Sequence, residues 1–268
     1  MSALVFRLRQ APDRRIDLSA LIPENLKDRS EKAIARLPLE GSRDKLKVGD
    51  VFSLRMGDPM SLRFDGGSER FDFVGAGMAA GAIVIDGPVG AQAGRLMRGG
   101  TLRIRGDAGP FAASRLAGGR LQIDGNAGER LGAPLAGEMA GMSGGVVIVH
   151  GDAGARAGDR LRRGLVVVEG RSGKDAGSRM IAGTLVLRGE IAGAPGPLMR
   201  RGTIVLLGGN CPASPTFCDC GSHRLVAAAL LGVELERLGL GFARKLKRPV
   251  RRLAGDMAIA GKGEIWIA

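Results

Sequence analysis

Along residues 81–208, short aliphatic runs return on a fixed beat, and each run alternates inward and outward positions. The runs are AIVID, TLRIR, RLQID, VVIVH, LVVVE, TLVLR and TIVLL, opened by Gly81, Gly100, Gly119, Gly145, Gly164, Gly183 and Gly202. The intervals between these glycines are 19, 19, 26, 19, 19 and 19 residues, and the glycines that close the runs, Gly87 to Gly208, repeat them. The one long interval marks a seven-residue insertion within GAPLAGEMAGMSGG, residues 132–145. Second and fourth positions are aliphatic in every run, from Ile83 and Ile85 to Ile204 and Leu206, which is the period of a strand with one buried face. Nineteen residues are too few for a strand, a crossover helix and a second strand, a unit that takes about 30 or more. A chain that coils, each run bonded to its equivalent one turn on, satisfies the pattern. The predicted class is all-β: a parallel β-helix, or solenoid, of about seven 19-residue coils.

Other columns keep the same beat. Met78, Met97, Leu116, Met142, Leu161, Met180 and Met199 each stand three residues before a leading glycine. Methionines so spaced could suggest a sulfur site for a metal, but they read as an interior ladder filling the coil. The fifth strand position runs Asp86, Arg105, Asp124, His150, Glu169, Arg188, a mostly alternating charge ladder if coils stack ~4.8 Å apart. His150 is then a rung beside Glu169 rather than a catalytic base. Asp107 and Asp152, in the recurring GDAG, read as turn residues accepting backbone hydrogen bonds. The third strand position faces outward. It is Val84, Arg103 and Gln122 early, then Ile148, Val167, Val186 and Val205, flanked by Val146 and Leu165. An apolar outer face of that kind must be covered, by a C-terminal helix of this chain or by a partner.

The flanks lack the period. Residues 1–70 hold a strand at 4–8 and a helix at 31–36 capped by Ser30, and they read as an N-terminal cap. The coils occupy 71–210. The segment 211–268 holds a helix over 222–239, amphipathic enough to lie on a sheet, and closes with a strand-like MAIAGKGEIWIA.

Composition changes the picture in three ways. Glycine, at 45 of 268 residues, is far above the usual ~7% and suits tight corners. Aromatics are scarce, with no Tyr, one Trp and eight Phe, so the core must be built from small and branched aliphatics. Lys and Arg exceed Asp and Glu by 13, which favours an acidic partner or subunit. The run RKLKRPVRR concentrates that charge in Arg244, Lys245, Lys247, Arg248, Arg251 and Arg252. It reads as a solvated cationic face or as a site for an acidic polymer or subunit. Interleaved aromatics are missing, which argues against nucleic acid. No stretch reaches the ~20 apolar residues of a membrane span and no signal peptide is evident, so a cytoplasmic protein is expected.

Catalytic patterns are poor. GAGMAAG (75–81) precedes a strand instead of following one, and GKGE (261–264) lacks the Ser/Thr of a phosphate loop. Cys211, Cys218, Cys220 and His223 have zinc-ligand chemistry but not the usual spacing, and read as reduced structural thiols in a turn. No catalytic residue and no metal site is assigned. A standalone β-helical enzyme on an acidic polymer is the alternative, but the outward columns lack the carboxylate-rich groove it would need.

The phrases GAGMAAGAIVIDGPVG, LMRGGTLRIRGDAG, GMSGGVVIVHGDAG and LMRRGTIVLLGG resemble the C subunit of formylmethanofuran dehydrogenase. A more distant likeness is to the right-handed β-helix of the large glutamate synthase subunit. IDLSALIPENL and SPTF (214–217) fit the C-subunit family and not glutamate synthase. The resemblance covers about residues 15–217 and includes the longer central coil. It implies a right-handed β-helix and a non-catalytic structural subunit. One setting is a tungsten or molybdenum complex that reduces carbon dioxide on methanofuran. The other is a bacterial formyltransferase/hydrolase complex, which moves formyl from formyl-tetrahydromethanopterin to a methanofuran analogue and releases formate. The excess of Arg over Lys tips the reading to the bacterial complex. There the implied partners are a formyltransferase subunit, an amidohydrolase-like subunit holding zinc, and a further subunit. The analogue's polyglutamate tail gives the six basic residues a purpose, although they lie outside the matched motifs.

Overall fold

In the computed structural model, which describes residues 2–39, 46–208 and 214–268, the aliphatic runs become strands lying directly over one another. Ile83 pairs with Leu102 in parallel, Leu102 with Leu121, Leu121 with Val147, Val147 with Val166, Val166 with Leu185, and Leu185 with Ile204. Each partner is one period on, and the register survives the insertion. A second line of parallel bridges joins Val89, Ala108, Ala127, Ala153, Ser172 and Ile191 on the same spacing, and Ser68 extends it before Val89. The protein is mostly β, with one large mixed sheet, parallel through its middle, and a few helices.

Burial follows the period. Ile83, Ile85, Leu102, Ile104 and their equivalents are buried, and all seven members of the Met/Leu column are fully inside. Met78 to Met199 form part of one continuous core with the N-terminal residues Leu4 and Phe6 and with Ile265 near the C-terminus. Four of the eight phenylalanines gather at the N-terminal end. Phe6 stacks on Phe64 with centroids 4.6 Å apart, and Phe52 packs edge-on to both. Aromatic volume is placed where the stack must end, and thin aliphatic layers fill the coils.

Glycine serves two purposes. Gly100, before its strand, has φ of +73°, a corner most side chains resist. Gly125, after its strand, has no such φ; a Cβ there would collide with the Asp107 carboxylate. That contact corrects the expectation for the GDAG motif. Asp107 accepts from the N–H of Asn126 at 2.6 Å and Asp152 from that of Arg171 at 2.7 Å, each 19 residues on. Asn126 accepts from Asp152 N across the insertion at 2.8 Å. The carboxylates therefore bind the next coil, not their own turn. Asp152 is held below its ordinary pKa chiefly by the Arg171 N–H.

Both ends of the sheet turn antiparallel. Ala3–Leu8 lies between Asp58–Asp65, which it meets in parallel, and Phe52–Arg55, which it meets antiparallel. At the other end Gly263–Ile267 continues the parallel stack on Thr203–Leu206. Val250–Gly255 and Cys218–His223 then follow antiparallel. The helix Glu31–Ala35 starts as expected, with the Ser30 hydroxyl accepting from Ala33 N. The C-terminal helix is shorter than expected, Val226–Arg237, because Ser222 and His223 are extended and pair with Arg251 and Val250. Ala228 and Leu235 of this helix join Leu240, Ala243 and Leu246 in a second core over Ile148, Leu165, Val167, Val186 and Val205. The apolar outer face is thus covered by the chain itself. No helix among the described residues is long and apolar enough to cross a membrane.

Candidate functional site

The outward charge ladder forms, with one diagonal step. Asp86 bridges Arg63 at 2.7 Å and Arg105 at 2.8 Å, while Asp124 takes Arg103 at 2.9 Å from the neighbouring column. His150 Nδ1 lies 2.6 Å from Glu169 Oε1, and Arg188 reaches the other oxygen at 2.8 Å. Arg188 also sits over the Phe242 ring. The second imidazole nitrogen faces the Gln122 amide at 3.2 Å, so both nitrogens are engaged in the ladder.

The six residues of the basic run do not form one patch. Arg244, Lys245 and Lys247 lie in the 3-10 turn Gly241–Lys247, whereas Arg251 and Arg252 lie in Val250–Gly255. Arg244 and Lys247 share Glu236, at 3.8 and 3.0 Å. Lys245 Nζ donates to the Leu207 carbonyl at 3.1 Å. Arg251 pairs with Asp219 at 2.8 Å and holds that carboxyl below its ordinary pKa. Arg252 pairs with Glu264 at 2.6 Å. Arg248 is exposed between the two elements. Much of the charge that the sequence concentrates here is met by acids of the same chain.

Cys211 lies outside the described residues. Cys218 and Cys220 stand in the strand Cys218–His223 rather than a turn, because that segment pairs with Val250–Gly255. His223 Nε2 is bonded to the Cys220 carbonyl at 2.7 Å. Among the described residues no group of three or more His, Cys, Asp or Glu could hold a metal.

Two further charged features are not evident from the chain alone. The first is Glu138, in the insertion. Its carboxylate takes Arg95 at 2.6 Å, Arg115 at 3.4 Å and the Leu135 N–H at 2.8 Å. The Arg95 hydrogen bond, ahead of the other partners, lowers its pKa to about 2. Arg160 donates to the Glu138 carbonyl at 3.1 Å, so the extra seven residues are pinned to the coil surface.

The second is a groove of about 740 Å³ along one corner of the stack. Arg160, Arg162, Arg179, Arg200, Arg201 and Lys262 line it, with no carboxylate among the lining residues. Met139 and Ala140 of the insertion form one end, and the turn after Met257–Ile259 forms the other. Buried Asp256 fixes that far end by accepting from Leu198 N at 2.7 Å and Ala258 N at 2.9 Å. Arg179 is bound to buried Asp159, which also accepts from Ser178. The available signal was the pair of dibasic corners, Arg162–Arg163 and Arg200–Arg201, each following a member of the interior ladder. Two dipeptides 38 residues apart look unrelated until the coil brings them to one corner.

No protein-family model matches the chain. It is 40% identical over 84 residues to the C subunit of the formyltransferase/hydrolase complex Fhc of Methylorubrum extorquens, an alignment spanning 31% of this chain and 32% of that subunit. It is also similar to a chain in the X-ray crystal structure of the formyltransferase/hydrolase complex (FhcABCD) from Methylorubrum extorquens in complex with methylofuran. That likeness has 40% identity and a TM-score of 0.94, and covers 98% of each chain.

Proposed function

The chain belongs to the family of the C subunit of the formyltransferase/hydrolase complex, and from that membership we propose that it is a non-catalytic structural subunit of such a complex. The observation that carries the reading is the likeness over 98% of both chains. The complex would transfer formyl from formyl-tetrahydromethanopterin to a methanofuran analogue and hydrolyse the product to formate. Its partners here would be a formyltransferase subunit, an amidohydrolase-like subunit that keeps the zinc, and a further subunit, all in the cytoplasm.

This chain's own part is mechanical. We read the stacked strands as a right-handed parallel β-helix of about seven 19-residue coils over 71–210, capped by 1–70 and by 211–268. Close-packed coils resist bending and present fixed columns of side chains, which suits an element that holds catalytic subunits in register. The His150–Glu169 pair is absorbed by the ladder on both sides, which favours structure over acid–base chemistry. Arg244, Lys245, Lys247, Arg248, Arg251 and Arg252 remain our candidates for contact with the polyglutamate tail or an acidic subunit. Arg244, whose side chain is 83% exposed, and Arg248, exposed and in no ion pair among the described residues, are open to an outside carboxylate.

Affinity purification of the tagged chain from its native cells at low salt tests the reading. A co-eluting formyltransferase and amidohydrolase-like chain is the expected result. Recovery of tungsten or molybdenum redox subunits would move the function to carbon dioxide reduction, and a lone chain would count against both. Charge reversal of the six basic residues should weaken retention of the cofactor analogue or of an acidic subunit, most at low salt. Unchanged retention would end the tail assignment.

A further inference from the structure

We propose that the arginine-lined groove is the docking site for an acidic, partly apolar segment of a partner subunit, laid along the stack. The inference rests on the subunit role argued above and goes beyond it by naming the surface and the chemistry of what it takes.

The groove holds two kinds of cation. Arg160 and Arg179 are tethered, to the Glu138 carbonyl and to Asp159, and form fixed walls. Arg162, Arg200, Arg201 and Lys262 line the same groove and form no side-chain hydrogen bond or ion pair among the described residues. Four cations crowded into one concavity repel each other, and a carboxylate-bearing occupant relieves that repulsion. Guanidinium groups suit such a guest because their planar forks match carboxylates two bonds at a time.

The coil sets the spacing. Ile181 N bonds to Leu161 O and Arg200 N to Met180 O, so Arg162, Ile181 and Arg200 occupy one corner on successive rungs; Lys262 N bonds to Arg200 O, which sets Lys262 over Arg201 on the next rung. With rungs ~4.8 Å apart, Arg162 and Arg200 lie ~10 Å apart along the stack axis and Lys262 one rung, ~5 Å, further on, a line of ~14 Å measured along that axis. An extended peptide rises ~3.3 Å per residue, so about four or five residues lie alongside, and alternate side chains face the line.

The rim selects among anions. Met139 is 81% exposed, Leu198 47% and Ile259 38%, and all three line the groove. Apolar side chains at a cationic site fit a polypeptide with both acidic and apolar residues better than a chain of bare carboxylates or phosphates. The lining holds no aromatic ring on which a nucleobase would stack.

The test uses the complex as isolated from native cells. The triple variant Arg162→Glu/Arg200→Glu/Lys262→Glu changes three exposed side chains, and its melting curve reports whether the fold is kept. Partner recovery at about 0.15 M salt should fall by roughly tenfold or more. Arg200→Gln and Lys262→Gln, taken singly, should fall less and in the same direction. A photo-crosslinking residue placed at Leu198 in the wild-type complex should attach to an Asp/Glu-rich segment of a partner subunit. Undiminished recovery with all three charges reversed would overturn the proposal. Attachment to a second copy of this chain, to nucleic acid or to the cofactor's tail would also overturn it. A wild-type chain that recovers no partner would instead remove the subunit reading itself, and the groove's occupant with it.

Discussion

On the rungs at 82–123 the outward column is Val84, Arg103 and Gln122, and it is partly or fully open to solvent. On the rungs from 143 to 206 the same column is Ile148, Val167, Val186 and Val205, and it is sealed beneath a helix. Inside the coil nothing distinguishes the two stretches. Both bury the same aliphatic positions and the same Met/Leu ladder, and both keep the same parallel register. One position per period therefore decides whether a coil faces solvent or a second core. The coil backbone does not specify the contact, so the outer column can be rewritten without disturbing the inner one.

The largest effect is expected when a covered rung is given the polarity of an open one. Val186→Asp places an uncompensated charge beneath the helix and should cost on the order of 3–5 kcal/mol in denaturant unfolding, or release the helix outright. Arg103→Ala, on the open stretch, gives up an exposed pair with Asp124 and should stay within about 1 kcal/mol. Equal losses at the two sites would mean that the helix does not shield the column.

The next test acts from the helix side. Leu235→Ala removes a fully buried anchor and should cost about 2–5 kcal/mol, whereas Leu230→Ala, 65% exposed on the same helix, should change stability by about 0.5 kcal/mol or less. A smaller and pH-dependent effect is expected at Glu138. Its folded pKa of about 2 lies below the ordinary 4.5, so its contribution is present above pH 4.5 and lost as pH falls toward 2. Glu138→Gln should flatten that acid limb of the stability profile; an unchanged limb would show that the arginines do not hold the insertion. The smallest change is expected for His150→Ala, below about 1 kcal/mol at neutral pH, because the ladder position is exposed. The same variant should leave the activity of the assembled complex intact.

The period makes the stack legible in the chain itself. Ile83 and Leu102 had to be equivalent, and the Met/Leu column had to be interior, because a strict 19-residue repeat admits few other arrangements. The outward run from Ile148 to Val205 likewise announced a covered face. What escaped was what the period superimposes without spelling out. Asp107 looks like a turn residue locally, and its partner N–H is apparent only when Asn126 is laid over it. The groove is harder still, since Arg162, Arg200 and Lys262 belong to different coils and a different terminal segment. Conversely, the run at 244–252 was conspicuous because its charges are adjacent in the chain. Adjacency hid that Glu236, Asp219 and Glu264, far off in sequence or across a strand, were waiting for them.

The antiparallel strands at the two ends of the sheet also decide what the molecule cannot become. A stack of identical coils could add another copy at either face and grow into a fibre. Here Phe52–Arg55 and Cys218–His223 close the sheet with strands that lack the repeating columns and run the wrong way for the next coil. Among the described residues the sheet has thirteen strands and stops. At ~4.8 Å per step that is a bar of roughly 60 Å whose length is written once into each chain. Whatever is bolted to it sits at a distance that concentration, temperature and copy number do not alter.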